Sequence, residues 1–219
     1  MTSPSAELVI FDCDGVLVDS EATSNRVLAA AITAAGLAIG ASEVGHHFEA
    51  MRLADIQAQV EEAVGRPLGE QWLLDFERRR EAAFREGMDA IDGVEAVLTR
   101  LRAAGRPTCV ASQARLEKTE LTLSLTGLRS YFADSVLFSS TMVERGKPHP
   151  DLFLHAAATM GVEPPRCVVV EDAVPGVQAA LAAGMPALGY APPGSDDRLA
   201  RAGAHAFASM AELPGLLGV

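Results

Sequence analysis

Aromatic side chains are scarce in this chain of 219 residues, at 5 % of positions with a single Trp. Apolar residues still make up 49 %, so Ala, Leu and Val must do most of the packing, and wholesale disorder is excluded. Cysteine is almost absent: three residues cannot all pair, none stands in a C-x-x-C spacing, and free thiols in a reducing cytosol are expected. Basic charge is also short, with 18 Lys and Arg against 29 Asp and Glu, a net −11. Such a surface repels phosphate backbones and anionic lipid, which argues against nucleic acid and membranes as partners. Residues 27–42 carry no charge, but they span only 16 positions and include Gly36. A membrane span needs about 20 mostly apolar residues. No basic, apolar, small-residue leader opens the chain, so the expectation is a cytoplasmic, soluble, monomeric globule with a disordered tail at residues 1–6.

Four short apolar runs read as strands buried on both faces: Leu8-Val9-Ile10-Phe11, Thr108-Cys109-Val110-Ala111, Cys167-Val168-Val169-Val170 and, more weakly, Ala187-Leu188-Gly189-Tyr190. A fifth is expected within residues 204–208. Amphipathic patterns lie between them. Val94, Val97, Leu98 and Leu101 share one helical face before a stop at Gly105. Residues 151–160 end at Gly161 and residues 175–183 end at Gly184 in the same manner. This alternation predicts an α/β fold, a Rossmann-like parallel sheet with helices on both faces.

Residues 20–87 break the alternation with helix patterns and no strand. Leu53, Ile56, Val60 and Val64 mark one apolar face, and Trp72, Phe76 and Ala83 another. The charged run Glu77-Arg78-Arg79-Arg80, with Glu81, Arg85 and Glu86, reads as a solvated face. The expected division is a core of residues 1–19 and 88–219 with an inserted α-helical cap at 20–87.

The first strand runs directly into Asp12-Cys13-Asp14-Gly15. Open α/β sheets bind ligands beyond the carboxyl ends of their strands. Positions i and i+2 of an extended segment share a side, so Asp12 and Asp14 are expected to converge while Cys13 enters the packing. An isolated D-x-D is more often an acidic turn than a site. The other strand ends change that weighting: Ser112-Gln113 with Arg115 follows the second strand, and Glu171-Asp172 the third. Gly146-Lys147-Pro148 sits before a helix. Each has a plain reading by itself, as helix cap, surface charge or solvated turn. Together they place a carboxylate pair, a hydroxyl, an ammonium and an acidic pair at one sheet edge. Two carboxylates about 4 Å apart repel by ~4 kcal/mol at an effective dielectric near 20. Lys147 offsets one charge, and a hard divalent cation on oxygen ligands, Mg²⁺, is expected to offset the rest.

The ordered set Asp12-Cys13-Asp14-Gly15-Val16-Leu17-Val18-Asp19-Ser20, Ser112, Lys147-Pro148 and Glu171-Asp172 resembles the four motifs of the haloacid dehalogenase-like hydrolases. Within them it is similar to the branch holding β-phosphoglucomutase and the small sugar-phosphate and phosphoglycolate phosphatases, whose helical cap follows the first motif. The resemblance spans residues 8–190. It implies Asp12 as the nucleophile that becomes an aspartyl phosphate, and Asp14 as general acid and then base. It implies Ser112 and Lys147 as ligands of the transferring phosphoryl oxygens. Mg²⁺ would be held by Asp12, the backbone carbonyl of Asp14 and Asp172, with Glu171 reaching a bound water. Gln113, where the phosphatases often carry Asn, is a substrate-contact candidate beside Arg115 and Arg52.

The expected activity is Mg²⁺-dependent hydrolysis of small sugar or polyol phosphates. A β-phosphoglucomutase-like mutase is the alternative, weakened by Ser24 where those mutases carry His and by Ala50 where they often carry Gly. A dehalogenase has no leaving oxyanion for Asp14 to protonate. A non-enzymatic phospho-accepting signalling domain predicts a shorter chain without a cap. His46, His47, His149 and His155 lack ligand spacing, and Cys109 and Cys167 read as inert core thiols.

Overall fold

The computed structural model describes residues 6–48, 51–133 and 136–219. Ala50 and the tail positions 1–5, on which two expectations above rest, lie outside them. Six parallel strands form one sheet in the order β3-β2-β1-β4-β5-β6. They are β1 (Leu8–Phe11), β2 (Thr108–Ser112), β3 (Leu137–Ser139), β4 (Cys167–Glu171), β5 (Ala187–Tyr190) and β6 (His205–Phe207). Ile10 stands opposite Cys109 on one side and Val169 on the other, so β1 is central.

Alternation along the strands feeds two separate cores. Val9, Phe11, Val110, Val168 and Val170 point to one face, under α5 (Val94–Ala103), α6 (Leu116–Leu125) and the C-terminal α10 (Leu213–Leu217). Leu8, Ile10, Cys109, Ala111 and Val169 point to the other, under α7 (Asp151–Met160), α8 (Val174–Ala182) and α9 (Arg198–Arg201). All four residues of β1 are fully buried. Each such aliphatic or aromatic side chain contributes about 1.5–3 kcal/mol. This is the α/β sandwich the strand runs predict, and all three cysteines are buried free thiols.

Two details differ from the sequence pattern. Strand β3 carries no run long enough to announce itself: it has three residues and, among the described residues, is an edge strand hydrogen-bonded only to β2. Helix α8 starts at Val174, with Pro175 inside its first turn.

Between β1 and α5 the described residues form four helices, α1 (Glu21–Ala35), α2 (Ala41–His47), α3 (Leu53–Val64) and α4 (Glu70–Glu86). They share a third core that includes Leu28, Ile32, Val44, Ile56, Val60 and Phe76. The expected second face shifts by one position: Phe84 is buried and Ala83 only half-buried. The two crossings into this insertion are tied together, because Asp19 N–H donates to Asp89 O and Ile91 N–H to Leu17 O, both at 3.0 Å.

Candidate active site

Strand order reverses at β1, whose neighbours β2 and β4 belong to opposite directions of winding. The crevice beyond such a reversal is where open sheets hold ligands. Asp12 leaves β1 there, its N–H bonded to Val170 O at 2.9 Å, and Glu171 ends β4 beside it. Lys147 arrives from the loop before α7. Its ammonium contacts Asp12 Oδ1 and lies 2.6 Å from Glu171 Oε1, with the side chain 2 % exposed. Glu171 Oε2 accepts from the N–H groups of Asp172 and Ala173, both at 2.9 Å.

Two glycines make this packing possible. An added Cβ at Gly15, where φ is +75°, would stand 1.8 Å from Asp172 Oδ2. At Gly176 it would stand 1.8 Å from Glu171 Oε1. Both carboxylates therefore occupy space that any side chain would fill.

Carboxylate oxygens of Asp12, Glu171 and Asp172 lie within 4.8 Å of one another. Three carboxylates against one ammonium leave two negative charges in surplus. Burial, reinforced by Glu171 and Asp14, pushes the Asp12 carboxyl up to about 7 despite Lys147. Burial and then Glu171 and Asp12 hold Asp172 well above the usual carboxylate range. Burial alone would lower Lys147, but Asp12 and Glu171 raise it above its ordinary value. An all-oxygen donor set with this surplus fits a hard divalent cation such as Mg²⁺.

Asp14 does not join that group, which corrects the expected cluster of four carboxylates. The chain leaves its extended path at once: Leu17 and Val18 N–H both return to Cys13 O, and Gly15 N–H bonds Val18 O. Asp14 Oδ1 is instead met by Lys118 Nζ and by Ser20 Oγ. Burial would raise the Asp14 carboxyl, yet Lys118, Ser20 and Arg80 hold it below its ordinary value. Cys13 enters the packing as expected, its Sγ 3.8 Å from Thr122 Oγ1.

Over these groups lies a cleft of about 590 Å³, walled by sheet-edge residues and by the helical insertion. Asp12, Asp14, Lys147, Glu171, Asp172, Gln113, Arg115 and Arg52 all line it. Ser112 does not: it is buried at the end of β2, where its Oγ accepts the Ala114 N–H at 3.1 Å. Gln113 Oε1 accepts the Lys147 N–H at 3.1 Å, and Arg115 pairs with Glu77 at 3.3 Å.

The solvated-face reading of residues 77–80 fails for its two end members. Glu77 and Arg80 line the cleft, and the Arg80 guanidinium lies over the Phe76 ring at 4.8 Å. Four residues fill one helical turn, so the two ends of the run share the inward face while Arg78 and Arg79 stay exposed. No sequence pattern marks Lys118 or Ser20 as a partner of Asp14. Lys118 stands in the first turn of a helix that opens at the sheet's carboxyl edge, three residues after Arg115, and that spacing is the signal it offers.

Residues 6–184 match the family model for haloacid dehalogenase-like hydrolases. The chain is 34 % identical to the 6-phosphogluconate phosphatase of Escherichia coli, over 82 % of this chain and 80 % of that one. A haloacid dehalogenase-like protein from Agrobacterium tumefaciens is 38 % identical, with TM-score 0.79 over 97 % of this chain and 98 % of that one. A family hydrolase from Deinococcus radiodurans, solved with phosphate and sodium bound, is 34 % identical with TM-score 0.76, over 98 % and 96 %. The chain belongs to the haloacid dehalogenase-like hydrolase family, as an enzyme of its phosphatase branch.

Proposed function

We propose that the protein hydrolyses small phosphorylated metabolites, sugar, sugar-acid or polyol phosphates, through an aspartyl-phosphate on Asp12. The observation that carries this reading is the gathering of Asp12, Glu171, Asp172 and Lys147 at the ends of β1 and β4. A phosphoryl group in transfer spreads charge over its equatorial oxygens, so positioned cations and donors supply most of the catalysis. Lys147 binds one of those oxygens. Ser112 Oγ, which accepts from Ala114, keeps its own proton, and would have to turn from its buried position at the end of β2 to donate it to another.

Asp14, held ionised by Lys118 in the free protein, takes up a proton from the incoming phosphate ester and passes it to the departing ester oxygen while Asp12 attacks phosphorus. Asp14 then takes a proton from the water that cleaves the acyl phosphate, splitting one hard displacement into two easier ones. Asp12, Asp172 and the Asp14 carbonyl would hold Mg²⁺, with Glu171 behind them. When bound, the ion supplies charge neutralisation for the incoming dianion. The helical insertion, residues 20–87, acts as a cap that closes the cleft from water. Ser24, a short neutral side chain on the cleft wall, favours hydrolysis over a mutase.

Phosphate release across a panel of sugar, sugar-acid, polyol and nucleotide monophosphates with Mg²⁺ tests the assignment. Turnover concentrated on small metabolite phosphates supports it. A panel with no phosphate release overturns it.

A further inference from the structure

Two donors meet a single oxygen of Asp14. Lys118 Nζ and Ser20 Oγ both contact Oδ1, and they stand 3.5 Å from each other. The Asp14 side chain remains 30 % exposed on the cleft wall, whereas that of Lys118 is 8 % exposed. Lys118 is thus a nearly buried cation whose ion pair is with the proposed acid–base group. Its ammonium also lies 5.7 Å from the centre of the Phe84 ring. Ser20 immediately precedes α1 and Phe84 sits in the last turn of α4. Lys118, on the core helix α6, therefore stands where both ends of the helical insertion approach Asp14.

A carboxylate on a two-bond side chain can rotate about χ2 and present either oxygen. Two donors on Oδ1 restrict that freedom in a side chain that lines the cleft. We propose that Lys118 is a positioning residue of the phosphatase reaction, clamping Asp14 Oδ1 so that Oδ2 faces the reacting water. This rests on the proposed roles of Asp12 and Asp14. In the step concerned, the water oxygen bonds to phosphorus as the bond from phosphorus to the Asp12 oxygen breaks. The electron pair returns to the Asp12 carboxylate, the water's proton passes to Asp14 Oδ2, and inorganic phosphate leaves.

The clamp predicts a split between the two half-reactions. With p-nitrophenyl phosphate the leaving phenolate needs no proton, so phosphorylation of Asp12 depends little on Asp14. Hydrolysis of the phosphoenzyme depends on it fully. Positioned proton transfer contributes about 10²–10⁴-fold, and loss of alignment alone should remove at least about tenfold of that. In rapid-quench kinetics Lys118→Met should show a p-nitrophenol burst approaching one per enzyme. Its kcat should fall at least about tenfold, with kcat/KM lowered no more than about threefold. Lys118→Gln, which keeps a neutral donor, should show the same split to a smaller degree. The near-normal kcat/KM reports folding from within the experiment.

A parallel fall of kcat and kcat/KM without a burst in both variants would mean a merely structural lysine and overturns the proposal. So does wild-type behaviour in both. Asp14→Asn separates this from the parent reading: it should show the same split more strongly. If Asp14→Asn lacks the split, the roles assigned to Asp12 and Asp14 fail; if it alone shows the split, only the clamp fails.

Discussion

Arg52, at the head of α3, donates from Nη2 to the carbonyl oxygen of Ser140 at 3.1 Å, across 88 residues of sequence. Its Nη1 reaches Glu144 O at 3.2 Å, while its buried Nε has no partner among the described residues. One guanidinium thus ties the helical insertion to the loop that delivers Lys147. A fork of fixed geometry can bridge two carbonyls in a way an ammonium cannot. Arg52→Ala should lower kcat/KM by about tenfold, equivalent to ~1.4 kcal/mol, and Arg52→Lys should recover little of it. Steady-state kinetics on the best substrate of the panel checks this, and an unchanged kcat/KM in the alanine variant would count against the tie.

Asp12→Asn should abolish turnover without unfolding the protein. The amide cannot form the acyl phosphate, yet Lys147 keeps Glu171 at 2.6 Å. Removing one of three mutually repelling carboxylates relieves charge, so the melting temperature should hold or rise slightly. Residual activity above about a tenth of wild type would remove Asp12 as the nucleophile.

Activity should be lost in EDTA and restored by Mg²⁺, with Ca²⁺ a poor substitute. Calcium takes more ligands at longer distances than a small octahedral site provides. Mg²⁺ should also raise the melting temperature, because the three carboxylates that would attract the ion come together only in the fold. Full activity in metal-free buffer contradicts this.

The metal-free protein should lose stability as pH rises. Asp12 titrates near 7 in the fold, and Asp172 is likewise raised. An ordinary aspartate in the unfolded chain titrates at about 3.9. Between those values the folded state holds more protons, so stability is present below the unfolded pKa and falls as pH climbs toward 7. Melting curves in chelator from pH 5 to 7.5 should show a downward slope that Asp12→Asn flattens and Mg²⁺ reduces. A flat curve would show the carboxylates to be ionised throughout.

Gly176→Ala should be disruptive despite its small size. The new Cβ would overlap the Glu171 carboxylate, which is itself fixed by Lys147 and two backbone N–H groups. Overpacking at such a site costs about 1–3 kcal/mol. Thermal denaturation should register the loss, and catalysis should fall with it because Lys147 shares the displaced carboxylate.

Much of this molecule follows from local pattern. The runs at residues 8–11, 108–111 and 167–170 are apolar on both faces because the strands they form are covered on both faces, and periodicity reports that directly. The placement of Asp12, Lys147, Glu171 and Asp172 in one crevice was legible for a related reason. Each follows a strand or precedes a helix, and parallel topology sends all those ends to one edge. Strand β3 was not legible, since three edge residues carry too little pattern. Nor was the inward turn of Glu77 and Arg80, because a charged run on a helix looks solvated until something packs over it.

The partner of Asp14 was decided by tertiary structure alone. Asp14 and Lys118 are 104 residues apart, and neither shows a pattern that names the other. Sequence determines which side chains reach the sheet's carboxyl edge, because strand and helix periods are properties of neighbouring residues. It leaves open how the carboxylates share the cations there. That sharing depends on a turn at Gly15, the seating of α6 and the approach of the helical insertion, which exist only once the layers have packed.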